Sequence, residues 1–328
     1  MQGVLLAGFG FMGRKHADIY RLLPGACLVG VVDPRGEELA GALGGTLLDG
    51  VPVFADFTTA LGEVESSVVD ICLPTDLHRD IALRAFAAGK HVFCEKPIAL
   101  TREDAAAMNC AAREAGRQFM VGHCIRFWPE YAELKRMVDA GTHGRLLSLS
   151  MNRRTGRPGY SVGDWVNDPA RCVGAALDLH IHDADYLLHL LGAPAAVVSQ
   201  GLRDESGWSS IATRYLYDGR IVTAEGAWNY PSNWGFQMRY TAVFESGVLD
   251  YDSRAEPTLM LTTGGAEPVA LASPAQDGYH RELAYFIECL EQGEPVAIST
   301  GEQAAASLDL VLAEVESADS GAQISLIN

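Results

Sequence analysis

With 42 acidic against 25 basic side chains in 328 residues, the chain carries a formal charge of −17. Such an excess of acid argues against a general nucleic-acid binder, which needs a basic face, and no apolar run reaches the roughly eighteen residues of a membrane helix. An apolar share of 48% and a charged share of 20% are ordinary for a globular chain, long enough here for two domains. Met1-Gln2-Gly3 leads straight into an apolar run, with no basic segment or cleavage site. Seven cysteines are dispersed without a C-x-x-C pair, as expected of reduced thiols in a cytoplasmic protein.

Val4 to Ala7 reads as a strand, and Gly8-Phe9-Gly10-Phe11-Met12-Gly13 follows without a gap. A helix-like segment runs from Arg14 to Leu23, and a second apolar run, Leu28 to Val32, ends in Asp33. Strand, glycine turn, helix, strand and acid are the parts of a dinucleotide site. Gly8 allows the tight turn, Gly10 lets the backbone approach a pyrophosphate, and Gly13 lets the helix pack close to the strand. The first N–H groups of that helix have no internal partner, and they point at the phosphates with the positive end of the helix dipole. Asp33, twenty residues after Gly13, is placed to accept hydrogen bonds from ribose hydroxyls. A carboxylate there repels a 2′-phosphate and favours NAD. Arg35 leaves NADP open, because a guanidinium two residues on could reach that phosphate.

Glu37 to Leu43 reads as a short helix and Val51 to Phe54 as a strand. Val68 to Leu73 is a buried strand ended by Pro74, Asp76 to Ala88 an amphipathic helix closed by Gly89, and His91 to Cys94 the next strand. Thr101 to Ala115 is a helix with Thr101 and Asp104 at capping-box spacing, stopped by Gly116. Phe119 to Gly122 completes a half in which strands and helices alternate, as a doubly wound parallel sheet requires. Two clusters lie at strand ends, where open α/β sheets bind ligands. In Leu73-Pro74-Thr75-Asp76-Leu77-His78, Thr75 and His78 are candidate cofactor contacts, and a plain turn capped by Asp76 is the competing reading. In Glu95-Lys96-Pro97, a lysine beside a nicotinamide would hydrogen-bond a substrate hydroxyl and stabilise the developing alkoxide, with Glu95 orienting it. A surface salt pair before a loop explains those residues equally well, and the isomer at Pro97 stays open.

The alternation then stops. Pro129 to Ala140 is a helix, Leu146 to Asn152 a strand, Arg153 to Val173 irregular, and Ala175 to Leu191 a long helix. From 195 to 262, several strands with turns at Asp218-Gly219 and Ser246-Gly247 indicate a mostly antiparallel sheet, followed by helices from Tyr279 to Gln292 and from Glu302 to Glu316. An open sheet needs its outer face covered, which points to a homo-dimer or homo-tetramer formed sheet to sheet. On the helix from Ala175, Asp178 and His182 are four apart and share a face, a stripe that Asp185 and His189 continue. An imidazole titrating near neutrality suits proton transfer to or from a hydroxyl, and Asp178 would hold the substrate or the imidazole. A polar helix face with a structural histidine is the alternative. The spacing matches no zinc signature, so no metal is expected.

In this order the motifs resemble the glucose–fructose oxidoreductase and inositol dehydrogenase (Gfo/Idh/MocA) family of NAD(P)-dependent oxidoreductases. The resemblance covers nearly the whole chain. It is carried by the glycine turn with His16, by Leu73-Pro74-Thr75 with His78, by Glu95-Lys96-Pro97 and by Gly174 through Leu191. It implies an α/β protein, with an N-terminal Rossmann doubly wound parallel sheet over 1–122. An α+β domain with a large, mostly antiparallel open sheet would follow over 123–328, holding substrate and making the oligomer contacts. It also implies hydride transfer between the nicotinamide and a hydroxyl or keto carbon of a sugar, cyclic polyol or sugar derivative, a sugar acid among them. Carried over, Lys96 lies in the active site, Asp178 and His182 flank the substrate, and His182 is the acid/base. Val121 through Phe127 looks like the strand leading into the second domain, with Arg126 facing cofactor or substrate.

The family often has a small residue where this chain has His180, which is then an extra polar group near the site or points away. Arg153-Arg154-Thr155-Gly156-Arg157 is unusually basic, so Arg153 and Arg157 are candidates for an anionic subsite, against the alternative of a solvated loop. Tyr160, Trp165 and Asp168 are candidate lining residues. Two rival functions remain. One is a glycoside hydrolase that oxidises its substrate transiently with a held NAD. The other is a non-catalytic NAD(P)-binding sensor, against which the joint presence of Lys96, Asp178 and His182 speaks.

Overall fold

The computed structural model describes residues 1–36, 38–39 and 48–326. The chain divides into two compact units. The first comprises Met1–His123, Tyr160–Trp165 and Tyr279–Ala305, and the second Cys124–Gly159, Val166–Gly278 and Ala306–Asn328.

The first unit holds a six-stranded sheet. Its strands are β1 (Gln2–Ala7), β2 (Ala26–Val32), β3 (Val53–Phe54), β4 (Val68–Ile71), β5 (His91–Glu95) and β6 (Phe119–Gly122). They lie in the order β3-β2-β1-β4-β5-β6, all parallel. Parallel neighbours need long crossovers, and the helices Phe11–Tyr20, Phe57–Glu63, His78–Ala87 and Arg102–Ala115 lie between the strands in sequence. The strand order reverses between β1 and β4, and the carboxyl ends there mark the switch point of an open sheet. Val4 to Ala7, Val68, Val69, Ile71 and Val92 to Cys94 are fully buried, as a sheet covered on both faces demands. Asp70 is an equally buried carboxylate in that apolar company. The Thr101 side chain accepts the Asp104 N–H at 3.1 Å, and Gly116 closes the helix in the left-handed region, as expected. The helix expected from Glu37 to Leu43 falls for the most part outside the described residues. Tyr279–Ala305 belongs to this unit although nothing local in its sequence says so. Val121 N–H donates to Ser299 O at 2.9 Å, and the Phe286 ring lies 5.7 Å from that of Phe93.

The second unit holds a nine-stranded sheet of β7 (Leu146–Gly156), β8 (Ala196–Asp204), β9 (Gly207–Tyr217), β10 (Arg220–Tyr230), β11 (Gln237–Phe244), β12 (Gly247–Asp252), β13 (Leu259–Thr263), β14 (Val269–Ala270) and β15 (Ile324–Ser325). The order is β14-β13-β12-β11-β7-β10-β9-β8-β15, and every pairing is antiparallel except that of β7 with β10. β7 runs past the expected end at Asn152, because Arg153 and Arg154 pair with Met238 and Gln237 on one side and with β10 on the other. Along β9, Ile211, Thr213 and Tyr215 are buried while Ala212 and Arg214 are exposed, the alternation of a sheet with one covered face. The helix expected from Ala175 starts instead as a π turn, Ala176–His180, and becomes α-helical over Ile181–Leu191. Among the described residues no helix is long and apolar enough to cross a membrane, and the seven cysteines are free thiols.

Candidate active site

In the first unit, the loop after β1 opens the helix Phe11–Tyr20. Gly8 has a φ of 97°, and a Cβ there would stand 2.4 Å from the Cys72 carbonyl oxygen, so only glycine fits. A Cβ on Gly13 would stand 2.0 Å from the Gly8 carbonyl oxygen, the close helix-to-strand approach that its place in the motif requires. A Cβ on Gly10 would meet nothing within 4 Å among the described residues. Gly10 caps the helix without a side-chain hydrogen bond, and the first turn holds no acid. An open approach to uncapped N–H groups fits a pyrophosphate. Leu73 and Pro74 are part-buried and Thr75 is buried, and a Gly8 Cβ would lie 3.1 Å from Leu73 Cδ2, so this cluster does border the glycine turn.

Asp33 is buried at the end of β2. Its Oδ2 accepts the Phe9 N–H at 3.0 Å, and both oxygens take the Arg35 guanidinium at 2.8 Å. Burial works to raise the carboxyl pKa, but the Arg35 and Phe9 hydrogen bonds outweigh it and hold the group below its ordinary range. Arg35 is thereby clasped to the acid rather than projecting toward a phosphate. His78 departs from expectation. It is 1% exposed, with Nδ1 3.0 Å from Pro97 O and Nε2 2.9 Å from Leu73 O, so both ring nitrogens face backbone carbonyls and not a cofactor. Burial lowers its pKa against the two carbonyls, which work to raise it; a neutral ring donates its one N–H to one carbonyl at a time.

Glu95-Lys96-Pro97 sits at the end of β5, with the Lys96–Pro97 peptide cis. Glu95 is buried; its Oε2 accepts the Lys96 N–H at 3.1 Å, and its Oε1 lies 3.1 Å from His16 Nε2. The other His16 nitrogen, Nδ1, is 2.8 Å from Asp70 Oδ2 and 3.3 Å from Cys72 Sγ. Burial alone would lower the His16 pKa, yet Cys72 and Asp70 carry it well above the ordinary value. Because burial also pushes the Cys72 thiol up beyond the ordinary thiol range, the operative anion is Asp70. An imidazolium thus joins the helix Phe11–Tyr20 to β5, which ends in Glu95. His16 with Asp70 and Cys72, and His16 with Glu95 and Glu282, are also groups of metal-ligating type. The imidazole nitrogens already face carboxylates, an arrangement that a proton satisfies. Sequence reading named His16 only as part of a motif; the local signal for its partner was one carboxylate, Asp70, inside an apolar strand.

In the second unit, the π turn and helix from Ala176 carry five ionisable residues between 178 and 185. Asp183 takes Arg153 through two hydrogen bonds, at 2.9 and 3.2 Å, and Asp185 takes Arg126 at 2.7 and 2.8 Å together with the Ser307 hydroxyl at 2.7 Å. His180 Nε2 lies 2.6 Å from Glu314 Oε2. All three residues are 0% exposed, whereas Asp178 is part-exposed and His182 is 9% exposed. Asp185 therefore does not continue the stripe of Asp178 and His182. At His189, burial and then the nearby Arg126 push the pKa down to about 4, so that ring is neutral at pH 7.

Arg126 and Arg153, expected to face ligand, are each buried against a carboxylate. The rest of the basic stretch is likewise neutralised internally: Arg154 pairs with Glu225 at 2.5 Å, and Arg157 with Asp204 at 2.6 Å and with Glu205. These pairings leave the anionic subsite without support. Asp168 caps the short helix Pro169–Cys172 by accepting the Ala170 N–H. Trp165 is part-buried, and Tyr160, in the first unit, is exposed with its ring 5.0 Å from that of Phe11 at the glycine turn.

A family model described as "Oxidoreductase family, NAD-binding Rossmann fold" matches residues 2–123, and one described as "GFO/IDH/MocA C-terminal domain" matches residues 131–250. The chain is 30% identical to an inositol 2-dehydrogenase of Streptomyces avermitilis over 97% of its own length and 92% of that protein. It is 28% identical to an inositol 2-dehydrogenase of Rhizobium meliloti over 98% of both. A levoglucosan dehydrogenase solved in complex with NADH and levoglucosan shares the fold over 100% of both chains, with a TM-score of 0.87 at 21% identity. The chain belongs to the Gfo/Idh/MocA family: it is an oxidoreductase, and residues 2–123 form an NAD-binding Rossmann fold.

Proposed function

We propose that this oxidoreductase interconverts a secondary hydroxyl and a ketone on a cyclic polyol or sugar, with NAD preferred over NADP. NAD supplies the hydride acceptor. The glycine turn and the helix N-terminus hold its pyrophosphate, and Asp33 takes the ribose hydroxyls. His182 accepts the hydroxyl proton, Lys96 donates a hydrogen bond to the oxygen as charge develops on it, and Asp178 holds a neighbouring hydroxyl. The substrate class is supported by relatives that are inositol dehydrogenases. The observation that carries the choice of residues is exposure: among the five ionisable side chains from 178 to 185, Asp178 and His182 retain solvent access, while His180, Asp183 and Asp185 have none.

The NAD preference follows from the clasp of Arg35 on Asp33, since a 2′-phosphate would have to break that pair and then face the carboxylate. The exposed apolar side chains Val198, Leu202 and Ile221 on β8 and β10 support a homo-dimer or homo-tetramer through the nine-stranded sheet, and the free thiols a cytoplasmic location.

The test is a panel of polyols, sugars and sugar acids with NAD+ and NADP+ in parallel, followed by NADH absorbance. His182→Ala keeps NAD+ affinity and loses turnover by about two orders of magnitude, the scale of a general acid/base. Wild-type turnover in that variant removes His182 from the mechanism. Net hydrolysis of a glycoside without NADH accumulation identifies the transient-oxidation hydrolase instead.

A further inference from the structure

The helix that carries Asp178 and His182 begins irregularly. His180 closes the π turn Ala176–His180, where the α-helix takes over. Two residues along a helix turn the side chain by roughly 200°, so His180 faces away from the side that Asp178 and His182 share. It enters a buried polar cluster. Nε2 lies 2.6 Å from Glu314 Oε2 and 3.1 Å from the Tyr215 hydroxyl; Thr213 Oγ1 donates to Glu314 Oε2 at 2.9 Å, and Ser199 Oγ lies 2.8 Å from Thr213 Oγ1. Every member of the cluster is buried, with His180 and Glu314 at 0%. On β10, a Cβ at Gly226 would stand 2.5 Å from His180 Cβ, so the strand leaves room for this side chain only by having none of its own. β9, β10 and the helix Gly301–Ser320 close on the His180 side chain, and β8 joins the cluster through the contact of Ser199 with Thr213. Among the described residues, neither His180 Nδ1 nor Glu314 Oε1 has a hydrogen-bond partner, and the tether runs through Nε2.

A π turn is a rare conformation, met mostly as a single turn inside an α-helix and frequently at functional sites, and strained backbone persists where the surroundings over-determine it. We infer that His180 is a positioning residue: joined to Glu314, it pins the π turn and thereby sets the angle at which the next turn presents His182 and Asp178. This rests on the reading of His182 as the acid/base. The side chain touches no substrate; it acts through the backbone that it anchors.

The reach of the contact supplies the test. A glutamine amide nitrogen falls about where imidazole Nε2 lies, and an asparagine amide falls about where Nδ1 lies. His180→Gln therefore keeps the tether and His180→Asn loses it, although both are neutral and polar. The expected result is a kcat at least tenfold lower in His180→Asn and within about threefold of wild type in His180→Gln, with KM and NAD+ affinity unchanged in both. The ring resonances of His182, identified by their loss in His182→Ala, should move in His180→Asn and stay in place in His180→Gln. Equal kcat in the two variants overturns the inference, and so does a loss confined to KM, which would make His180 a substrate contact. Should His180→Asn not fold, Glu314→Gln is the second variant: at least a threefold lower kcat at constant KM supports the tether, and wild-type kcat refutes it. If the wild-type enzyme oxidises no polyol or sugar, the functional reading fails separately, and unmoved His182 resonances in His180→Asn would still sink the tether by themselves.

Discussion

Replacing Gly10 or Gly13 by alanine should damage this protein in opposite ways. Gly10 is extended, with a φ of −79°, and a Cβ there meets nothing within 4 Å among the described residues, so their packing tolerates the methyl group. Losing glycine at a helix N-cap costs at most about 1 kcal/mol, or roughly 2–4 °C in Tm for a domain of 150–250 residues. The same methyl group occupies the space through which a pyrophosphate approaches the backbone. Overpacking of that kind costs about 1–3 kcal/mol, which at 1.4 kcal/mol per decade raises the NADH Kd roughly 5- to 140-fold. At Gly13 the new Cβ would stand 2.0 Å from a backbone oxygen, and neither partner is a side chain that can swing away. Gly13→Ala therefore loses about 3 kcal/mol of fold stability or more, and its binding loss follows from that. NADH fluorescence titration and thermal unfolding on the two variants separate the effects. Wild-type NADH affinity in Gly10→Ala would mean that the cofactor does not cross this turn, whatever the motif suggests.

Three further outcomes follow from the ion pairs. Arg153→Ala leaves Asp183 buried without its partner and costs about 3–5 kcal/mol in denaturant unfolding; full stability with a raised KM for sugar acids would restore the anionic subsite. Asp33→Ser releases Arg35 and should raise the NADP+ to NAD+ ratio of kcat/KM at least tenfold, while an unchanged ratio rejects the clasp as the determinant. The pKa of folded His16 is raised above its unfolded value of about 6.5. Its stabilisation is thus complete below that pH and is lost as pH rises through the folded value. The unfolding free-energy gap between wild type and His16→Gln should shrink with rising pH; a gap that widens contradicts the imidazolium between Asp70 and Glu95.

The parts of the fold that were legible in the sequence are those whose causes are local. Alternating apolar runs and amphipathic segments describe the parallel sheet, and Thr101, Asp104 and Gly116 bound their helix by contacts a few residues long. Where the cause is distant, reading failed. Arg153 reads as an anionic-subsite candidate or a solvated loop residue because its reason for being buried, Asp183, lies thirty residues on. Tyr279 to Gln292 shows that it has a face to bury, but not that Ser299 beyond it would bond to Val121 of the first unit. His78 reads as a ligand contact because polarity at a strand end suits one. Its two carbonyl partners, Leu73 and Pro97, come from separate loops.

The segment from Asp178 to Asp185 shows why a site is harder to read than a fold. Five ionisable residues within eight positions cannot all face solvent from a helix that packs on a sheet, and each one buried needs compensation. Periodicity groups Asp178, His182, Asp185 and His189 on one stripe, but it assumes a uniform α-helix. The π turn changes the phase at its start, and Arg126, more than fifty residues earlier, draws Asp185 inward. Arg153 and Glu314 do the same for Asp183 and His180. Those three partners come from β7, from the turn after β6 and from the last helix. No window of sequence contains them together, so the exclusion of His180, Asp183 and Asp185 is a tertiary result. The case for Asp178 and His182 is then one of accessibility within a helix whose other charged positions already have structural work.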